Sequence, residues 1–341
     1  MRILIDIGHP AHVHLFKNFA WEMQKKGHII LFTCREKEFE ISLLKTYGFN
    51  YITFGKHYIN IVGKLWGLIK FDIVMFKTAL DFKPDLFLSA GSMYAAQIAF
   101  FFRKPHIALE DSENMEQIRL YKPFTKFILT PNSIPKKYGK KQLGYNGFHQ
   151  SAYLHPNYFQ KNLDIREELG IGPKEKVFLL RLVALNASHD WNLKNISDDL
   201  IHSIINLFKD KGHIFISSEK PLKKDLQKYK LNILPERIHD FISICDLIVG
   251  ESGAMTNEAA YLGVPNILIV DIDLNVHKAY TELGLKKHFK QISHSNINEI
   301  ELILNDLDAI KLDFQKRSDD YIKNSVDLTN YLIKLVESLS K

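Results

Sequence analysis

The sequence predicts an α/β protein with two doubly wound, parallel-sheet domains that face each other across a cleft. Short apolar runs alternate with amphipathic stretches of helix length along the whole chain, as βαβ units require. The pattern occurs in two blocks, and 341 residues exceed what one compact core usually holds. Between the blocks, residues 136–159 replace periodicity with glycines, lysines and isolated aromatic residues, which is typical of an interdomain connection.

The first block begins with the apolar run RILIDI at 2–7, the first predicted strand. Helical patterns over about 12–26 and 36–47 end at Gly27 and Gly48, since glycine commonly follows the last turn of a helix. The further strands are predicted at 28–34, 50–54, 85–90, 105–110 and 127–131. We assign this block, residues 1–150, to the first domain.

The second block repeats the pattern. Its predicted strands are 176–183, 213–218, 246–250 and 266–270, and its clearest helices are 195–211 and 254–262. We assign 151–341 to the second domain, with the alternative that its final helices, about 315–341, pack back on the first. Ligands of such sheets bind beyond the carboxyl ends of the strands, so the loops there carry the candidate residues.

Composition excludes several classes of protein. Hydrophobic residues make up 46% of the chain, and the cysteines, Cys34 and Cys245, form no CxxC pair, which indicates a reducing cytosol. The N-terminus lacks a signal peptide and no run approaches a membrane span, so we expect a soluble, cytoplasmic protein. A net charge of +6 suits phosphate-bearing ligands or an anionic lipid surface and is too small to predict a nucleic-acid partner.

The segment CDLIVGESGAMTNEAAYLGVP, 245–265, reads as a strand, a short turn and a helix that begins near Ala254. Gly253 allows close backbone approach to a ligand, and Ser252 can cap the helix. The free N–H groups and the positive end of the helix dipole suit a diphosphate. Glu258, one turn into the helix, can accept hydrogen bonds from a ribose diol. The alternative is an ordinary strand–turn–helix with a surface glutamate.

ESGAMTNEAAYLGVP resembles the donor-nucleotide segment of MurG-like glycosyltransferases, which have two Rossmann-like domains (the GT-B fold), and that of UDP-N-acetylglucosamine 2-epimerases. The resemblance implies that Ser252, Gly253 and Ala254 contact the diphosphate and that Glu258 binds the ribose. GHPAHVHLFKNFAWEMQKKGH likewise resembles the first strand–loop–helix of MurG, whose loop histidine falls on His12. Together with LRLVALNASHD, these motifs resemble, over nearly the full length, a prokaryotic family of unknown function with GT-B architecture.

Three histidines, His9, His12 and His14, follow the first strand within six positions. A zinc site would need further ligands, and since no Cys or Glu joins these residues we expect no metal. The histidines can instead cap a helix, or face the cleft. In the cleft, His12 with His9 beside it acts as a general base or holds a sugar phosphate, and His14 is a secondary candidate.

The loop ALEDSEN, 108–114, offers Glu110, Asp111 and Glu113 after a predicted strand. It is either a solvated loop or the source of an acid that deprotonates an acceptor hydroxyl. Asp111 is the candidate for that role, and Glu110 and Glu113 are secondary candidates.

Arg181 lies inside an apolar strand, so it needs a partner such as a diphosphate or a carboxylate. Ser188 and His189 follow that strand as secondary candidates or as a simple helix cap. Ser218 and Glu219, after another strand, either contact the diphosphate or base or belong to a plain loop.

Residues 56–80 mix lysines with Trp66, Phe71 and Phe76. The stretch is either a buried helix with snorkelling lysines or a basic, aromatic face that docks on an anionic membrane, where a lipid-linked acceptor would be found.

The residues and the resemblance together favour a glycosyltransferase that moves a sugar from a UDP-sugar to a glycan or lipid-linked acceptor. His12 or Asp111 would be the base. No metal or cofactor is expected, because Arg181 and the helix start at 253–254 would stabilise the leaving diphosphate. The alternatives are a UDP-sugar 2-epimerase or nucleotide-sugar hydrolase, and a non-catalytic nucleotide-sugar binding protein.

Overall fold

A computed structural model of the chain describes residues 1–36, 39–56, 61–184, 195–291 and 294–339. The chain divides into two compact units. Unit 1 comprises Met1–Tyr158 with Ser325–Lys341, and unit 2 comprises Phe159–Asn324. Each unit contains one parallel sheet with helices around it.

Unit 1 contains a seven-stranded sheet in the order β3-β2-β1-β4-β5-β6-β7. Its strands are β1 (Arg2–Ile7), β2 (Ile29–Glu36), β3 (Tyr51–Lys56), β4 (Leu86–Ser89), β5 (His106–Leu109), β6 (Phe127–Pro131) and β7 (Gln142–Tyr145). The helices among them are α1 (Pro10–Lys25), α2 (Glu40–Thr46), α3 (Ile61–Phe82), α4 (Met93–Phe101) and α5 (Met115–Tyr121). All paired strands run parallel, so the loops after β1, β4 and β5 lie at one edge of the sheet.

The central strands of unit 1 are buried along their whole length, as expected for a sheet covered on both faces. The helix α1 begins at Pro10, two residues before the predicted start. His9 caps it by accepting a hydrogen bond from the N–H of Ala11, and Pro10 fits the first position because no N–H is needed there. The helix is followed by Gly27, whose φ of +83° reverses the chain into β2.

Unit 2 contains a five-stranded parallel sheet in the order β12-β11-β10-β8-β9. Its strands are β8 (Val177–Leu182), β9 (His213–Ser218), β10 (Leu247–Gly250), β11 (Asn266–Ile269) and β12 (Lys287–Phe289). Its helices are α6 (Asp164–Glu168), α7 (Asp198–Phe208), α8 (Ile238–Ile244), α9 (Gly253–Tyr261), α10 (Asn275–Glu282), α11 (His294–Asn305) and α12 (Leu307–Asn324). β8 and β10 are neighbours although β9 lies between them in sequence, so the strand order reverses at this pair.

The last helix, α13 (Leu328–Ser338), belongs to unit 1. Just before it, Asp327 accepts hydrogen bonds from Asn157 and Tyr158, each at 3.0 Å. α12 stays in unit 2, where Ser318 donates to the carbonyl of Tyr261 at 2.6 Å. The segment that returns is therefore shorter than the predicted 315–341, and unit 1 extends to Tyr158 rather than to residue 150. Composition alone does not reveal such contacts.

Candidate functional site

The loop after β1 carries two of the candidate histidines. The Nδ1 atom of His12 accepts a hydrogen bond from the N–H of Gly8 at 3.2 Å, and Nδ1 of His9 accepts one from the N–H of Ala11 at 3.1 Å. A neutral imidazole whose Nδ1 accepts carries its proton on Nε2. Both rings therefore present Nε2–H donors when neutral.

Burial, with a smaller contribution from the neighbouring His9, lowers the pKa of His12 to about 3. The ring is therefore neutral at physiological pH. This environment therefore keeps the pKa of His12 well below the usual histidine value of about 6.5. The negative charge of Asp111 raises this pKa, whereas Arg35 and His149 lower it further. All three residues therefore lie near the ring of His12.

Arg35, at the end of β2, places its guanidinium beside the start of the histidine loop. Its Nη2 atom donates to the carbonyl of Ile7 at 3.2 Å, and Nη1 lies 3.7 Å from Oδ2 of the buried Asp6. A Cβ on Gly8 would lie 2.4 Å from that Nη2, so glycine is what leaves room for the cation. Asp6 is thus a structural acid: it orients Arg35 and accepts a hydrogen bond from Thr33.

Asp111 pairs with a histidine that the sequence analysis did not select. Nδ1 of His149 lies 3.0 Å from Oδ2 of Asp111, and His149 is only 7% exposed. The ring of Tyr145 stacks on the imidazole at an interplanar angle of 12°. We call His9, His12, Arg35, Asp111 and His149 the unit 1 cluster.

The short turn that begins at His149 is tightly fixed. The carbonyl of Ala152, at the end of this turn, accepts hydrogen bonds from Asn18 of α1 and Thr329 of α13, each at 2.8 Å. The position of the imidazole is therefore set by two helices.

The other two acids of the loop after β5 have structural partners. Glu110 is buried and accepts hydrogen bonds from Ser112, from the N–H of Glu113 and, at 2.6 Å, from the hydroxyl of Tyr121. Burial raises its pKa. Glu113, at a φ of +54°, pairs with Lys137 at 3.2 Å. Both acids thus shape the loop that presents Asp111.

His14 lies in the core of unit 1, outside the cluster. It is 4% exposed, its Nδ1 lies 3.2 Å from the hydroxyl of Tyr47, and its ring stacks on Tyr153. Helical spacing accounts for this position, since His14 is on the core-facing side of α1.

In unit 2, the start of α9 is open to solvent. Ser252 caps the helix by accepting a hydrogen bond from the N–H of Met255. Gly253 is half-buried and Ala254 is exposed, whereas the helix from Met255 to Tyr261 is buried. A Cβ on Gly253 would lie 2.8 Å from the ring of His277. Glycine is therefore needed at this position for the close approach of His277.

His277 belongs to a buried group behind the helix start. Its Nδ1 lies 3.2 Å both from Oδ1 of Asn257 and from the amine of Lys286. Burial lowers the pKa of Lys286 well below its usual range, because the ammonium is taken out of water.

Glu258 is 6% exposed, and its Oε1 lies 3.2 Å from Nε2 of His239. The carboxylate is thus buried on α9 against α8, and it is not the surface glutamate of the alternative interpretation.

Arg181 has a carboxylate partner. Its guanidinium donates to Glu219 and, at 2.9 Å, to the hydroxyl of Ser217. Glu219 also accepts a hydrogen bond from the N–H of Ala184 at 2.9 Å. Ser218 completes the turn after β9 through its bonds with the backbone of Lys220.

Glu251, the residue before the cap, fixes both sides of the segment that follows β8. It accepts hydrogen bonds from the N–H groups of Val183 and Ile196 at 3.0 and 2.6 Å, and from the side chain of Asn195 at 3.0 Å. Ser188 and His189 lie in 185–194, outside the described residues.

Among the residues that the structure describes, no group of three or more His, Cys, Asp or Glu side chains is arranged to hold a metal ion. In the same part of the chain, no helix combines the length and apolarity needed to cross a membrane.

Residues 1–338 match the family described as protein of unknown function (DUF354). The chain belongs to this family. The uncharacterized protein MJ0665 of Methanocaldococcus jannaschii is 23% identical to this DUF354 chain over 316 residues, covering 89% of each.

Several solved structures have the same fold as this DUF354 chain. The UDP-GlcNAc 2-epimerase of Neisseria meningitidis, bound to UDP-GlcNAc, superposes with a TM-score of 0.68 at 16% identity over 99% of both chains. SsfS6, a glycosyltransferase of Streptomyces sp. SF2575, gives 0.64 at 14% identity over 99% of both. The predicted fold class, α/β with two Rossmann-like doubly wound domains of the GT-B type, is confirmed.

Sequence reasoning missed Arg35, His149, Glu251 and His277 in this DUF354 chain. The sequence does contain a signal for Glu251 and Arg35. Each follows the last apolar residues of a strand, and this places it at the sheet edge where ligands bind. His149 had none, since it lies in the segment without periodicity and its partner Asp111 is far away in sequence.

Proposed function

We propose that this protein is a metal-independent GT-B glycosyltransferase that transfers a sugar from a UDP-sugar to an acceptor in cell-surface glycan or polysaccharide biosynthesis. The observation that carries the proposal is the open start of α9 at the β8–β10 reversal of the unit 2 sheet. Ser252, Gly253 and Ala254 present the N–H end of this helix at the point where parallel sheets bind nucleotides.

The donor would be held by unit 2. The N–H groups at 253–254 would bind the diphosphate, and Arg181, together with Ser218 and Glu219 at the end of β9, lies at the same edge of the sheet. Since Gly250 of β10 is in register with Arg181 of β8, the helix start and the guanidinium belong to adjacent strand ends. Glu258 would bind the ribose after exchanging or sharing its contact with His239.

The proton of the acceptor hydroxyl would be removed in unit 1, where His9, His12 and Asp111 lie together. The leaving diphosphate would be stabilised by the α9 dipole and Arg181, with no cofactor required. Glu110 and Glu113 have structural partners, so Asp111 is the acid of this loop that is paired with an imidazole.

The experiment is incubation with UDP-GlcNAc, and with GDP-, CMP- and dTDP-sugars, with and without a membrane extract as the source of acceptor. UDP release that depends on the extract supports the transferase. Release or isomerisation without extract indicates a hydrolase or 2-epimerase. Binding in calorimetry without turnover indicates a binding protein, and no binding of any nucleotide sugar would contradict the proposal altogether.

We also propose that the protein is cytoplasmic and docks on an anionic membrane. Within the predicted stretch 56–80, the described side chains of Phe71 and Met75 are buried, whereas Ile69, Ile73 and Leu80 are exposed. The exposed apolar surface continues onto the end of α4, where Phe100 and Phe101 are 62% and 66% exposed. We call these five exposed residues the α3–α4 face.

At the end of α4, this face borders a groove whose charged lining residues are basic. A groove of about 1020 Å³ at the end of α4 is lined by Phe100, Phe101 and Phe124, and its charged lining residues are Arg103, Lys104, Lys126 and Lys141. A second copy of the chain would bring the same cations against themselves in a two-fold interface. Anionic lipid headgroups instead complement the cations, while the aromatic rings enter the headgroup region.

A further inference from the structure

The imidazole of His149 is held at Nδ1 by Asp111, whereas its Nε2 has no hydrogen-bond partner among the described residues. At 3.0 Å, Nδ1–H donates to the carboxylate of Asp111, so the neutral ring keeps a lone pair on Nε2. That Nε2 is buried and has no hydrogen-bond partner among the described residues. A buried polar atom without a hydrogen-bond partner destabilises the folded protein, so its presence here indicates a position that a substrate group completes.

The orientation of this ring does not depend on a ligand. Tyr145 stacks on one face of the imidazole, and the turn that carries it is fixed by Asn18 and Thr329 through the carbonyl of Ala152. A base must be held within hydrogen-bond reach of the proton that it removes. The carboxylate, the stacked ring and the anchored turn provide that fixed geometry.

His12 differs from His149 in its tautomer. Its Nδ1 accepts from the N–H of Gly8, so the proton of the neutral ring is on Nε2, and that atom can donate but has no lone pair for a second proton. The same holds for His9, whose Nδ1 accepts from the N–H of Ala11. Both rings are therefore suited to hold a hydroxyl or phosphate oxygen.

We propose that His149 is the general base of the transfer, that Asp111 is its positioning residue, and that His12 and His9 are hydrogen-bond donors to the substrate. This assignment rests on the proposed function. As the acceptor oxygen bonds to the anomeric carbon, its proton moves to Nε2 of His149. The bond between the anomeric carbon and the diphosphate oxygen breaks, and its electron pair leaves with UDP. Asp111 stabilises the imidazolium, which then releases the proton to solvent.

The tautomers can be measured without any turnover, by long-range ¹H–¹⁵N spectra of the full chain labelled with ¹⁵N-histidine. We expect the Nδ1–H tautomer for His149 and the Nε2–H tautomer for His12, with signals assigned from His149→Asn and His12→Asn. In Asp111→Asn, an amide that donates to Nδ1 should switch His149 to Nε2–H. An Nε2–H tautomer of His149 in the wild type would overturn the assignment even if the protein is an active transferase.

The proposal predicts different turnover for His149→Asn and His12→Asn in the UDP-GlcNAc assay. His149→Asn should lower turnover by about 10²–10⁴, the usual contribution of a positioned base. In His12→Asn, the amide can still accept from the N–H of Gly8 and donate to the substrate. Turnover of this variant should therefore fall by no more than about tenfold. The reverse order would make His12 the base and refute the proposal. UDP affinity should change by less than about twofold in both variants, because the proposed nucleotide residues lie in unit 2.

Asp111→Asn provides a second variant that does not empty a buried site, since the Asp111 side chain is 30% exposed. A wrong tautomer should lower kcat by about 10²–10⁴ and leave KM for UDP-GlcNAc unchanged. In the double variant with His149→Asn, the second substitution should lower kcat little further, since the two residues act as a unit. Multiplicative losses would mean that Asp111 acts independently of His149. A wild type with correct tautomers and no turnover would instead contradict the proposed function alone.

Discussion

Arg181 in β8 donates two hydrogen bonds toward the end of β9, one to the hydroxyl of Ser217 at 2.9 Å and one to the carboxylate of Glu219. The partner that an arginine in an apolar strand requires is therefore a carboxylate of the neighbouring strand end. If Arg181 also binds the diphosphate of a donor, Glu219 and the ligand compete for one guanidinium.

That competition predicts opposite effects of two substitutions on UDP affinity in calorimetry. Arg181→Gln should weaken binding by about 1.5–3 kcal/mol, the range for a charge-assisted hydrogen bond. Glu219→Gln should strengthen binding by up to about fivefold, since a partly exposed ion pair is worth up to roughly 1 kcal/mol. Asp198→Asn, which breaks the exposed pair with Lys223, is the matched control. Weaker binding in Glu219→Gln would show that Glu219 itself contacts the nucleotide.

Glu258→Gln should weaken UDP binding by about 1.5–3 kcal/mol, because the charged acceptor of the ribose hydroxyls is lost while the amide oxygen can still face His239. The loss should largely disappear when 2′-deoxy-UDP replaces UDP, since that ligand lacks one of the two hydroxyls. Glu282→Gln, an exposed change in the same unit, should leave affinity unaltered. Equal losses with both ligands would mean that Glu258 only supports α9.

The stability of unit 1 should fall in acid because of His106. This residue is fully buried between the hydroxyls of Ser89 and Thr125, each 2.9 Å away, and burial lowers its pKa to about 3. The unfolded chain, with a histidine pKa of about 6.5, binds the proton more readily. The stabilisation is thus present above pH 6.5 and is lost as pH falls toward 3, by up to about 1.4 kcal/mol per pH unit.

Urea unfolding between pH 4.5 and 7 tests this expectation. The pKa of His12 is also lowered, so this residue should likewise make the free energy of unfolding fall as pH falls. His106→Gln removes one of the two groups, so its free energy of unfolding should depend less on pH than that of the wild type. Parallel curves for the two proteins would show that His106 does not titrate on unfolding.

The α3–α4 face should bind vesicles that contain anionic lipid and release them as salt rises, because surface attraction is screened. Phe100→Ser with Phe101→Ser should abolish co-sedimentation and leave UDP affinity unchanged. Leu302→Ser with Leu312→Ser removes two leucines of unit 2 that are 67% and 73% exposed, and should have no effect. Equal loss of co-sedimentation in both double variants would indicate non-specific adsorption of exposed apolar residues rather than a docking face.

Apolar runs in the sequence were sufficient to predict the strands of both described sheets except β7 and β12. β7 was missed because Gln142 and Gly144 interrupt its short run, and its place at the sheet edge depends on pairing with β6. Local pattern also identified the start of α9, since Ser252 and Gly253 act on their immediate neighbours.

Residue pairs that close over long sequence distances were beyond prediction. The meeting of His149 with Asp111 depends on the order β5-β6-β7 and on the anchoring of a turn by α1 and α13. The tautomers of His9 and His12 depend on single backbone N–H groups, which no composition or spacing reveals. The sequence therefore indicated the loops of the site more reliably than the role of each side chain.

The return of α13 to unit 1 determines the order in which the chain can mature during synthesis. Leu328, Leu332 and Val336 are buried there, and they are translated after the whole of unit 2. Unit 2 is complete in sequence at Asn324, before the unit that begins at Met1. Unit 1 thus begins translation before unit 2 and is completed after it, and a nascent chain stalled short of α13 would expose the apolar surface that α13 covers.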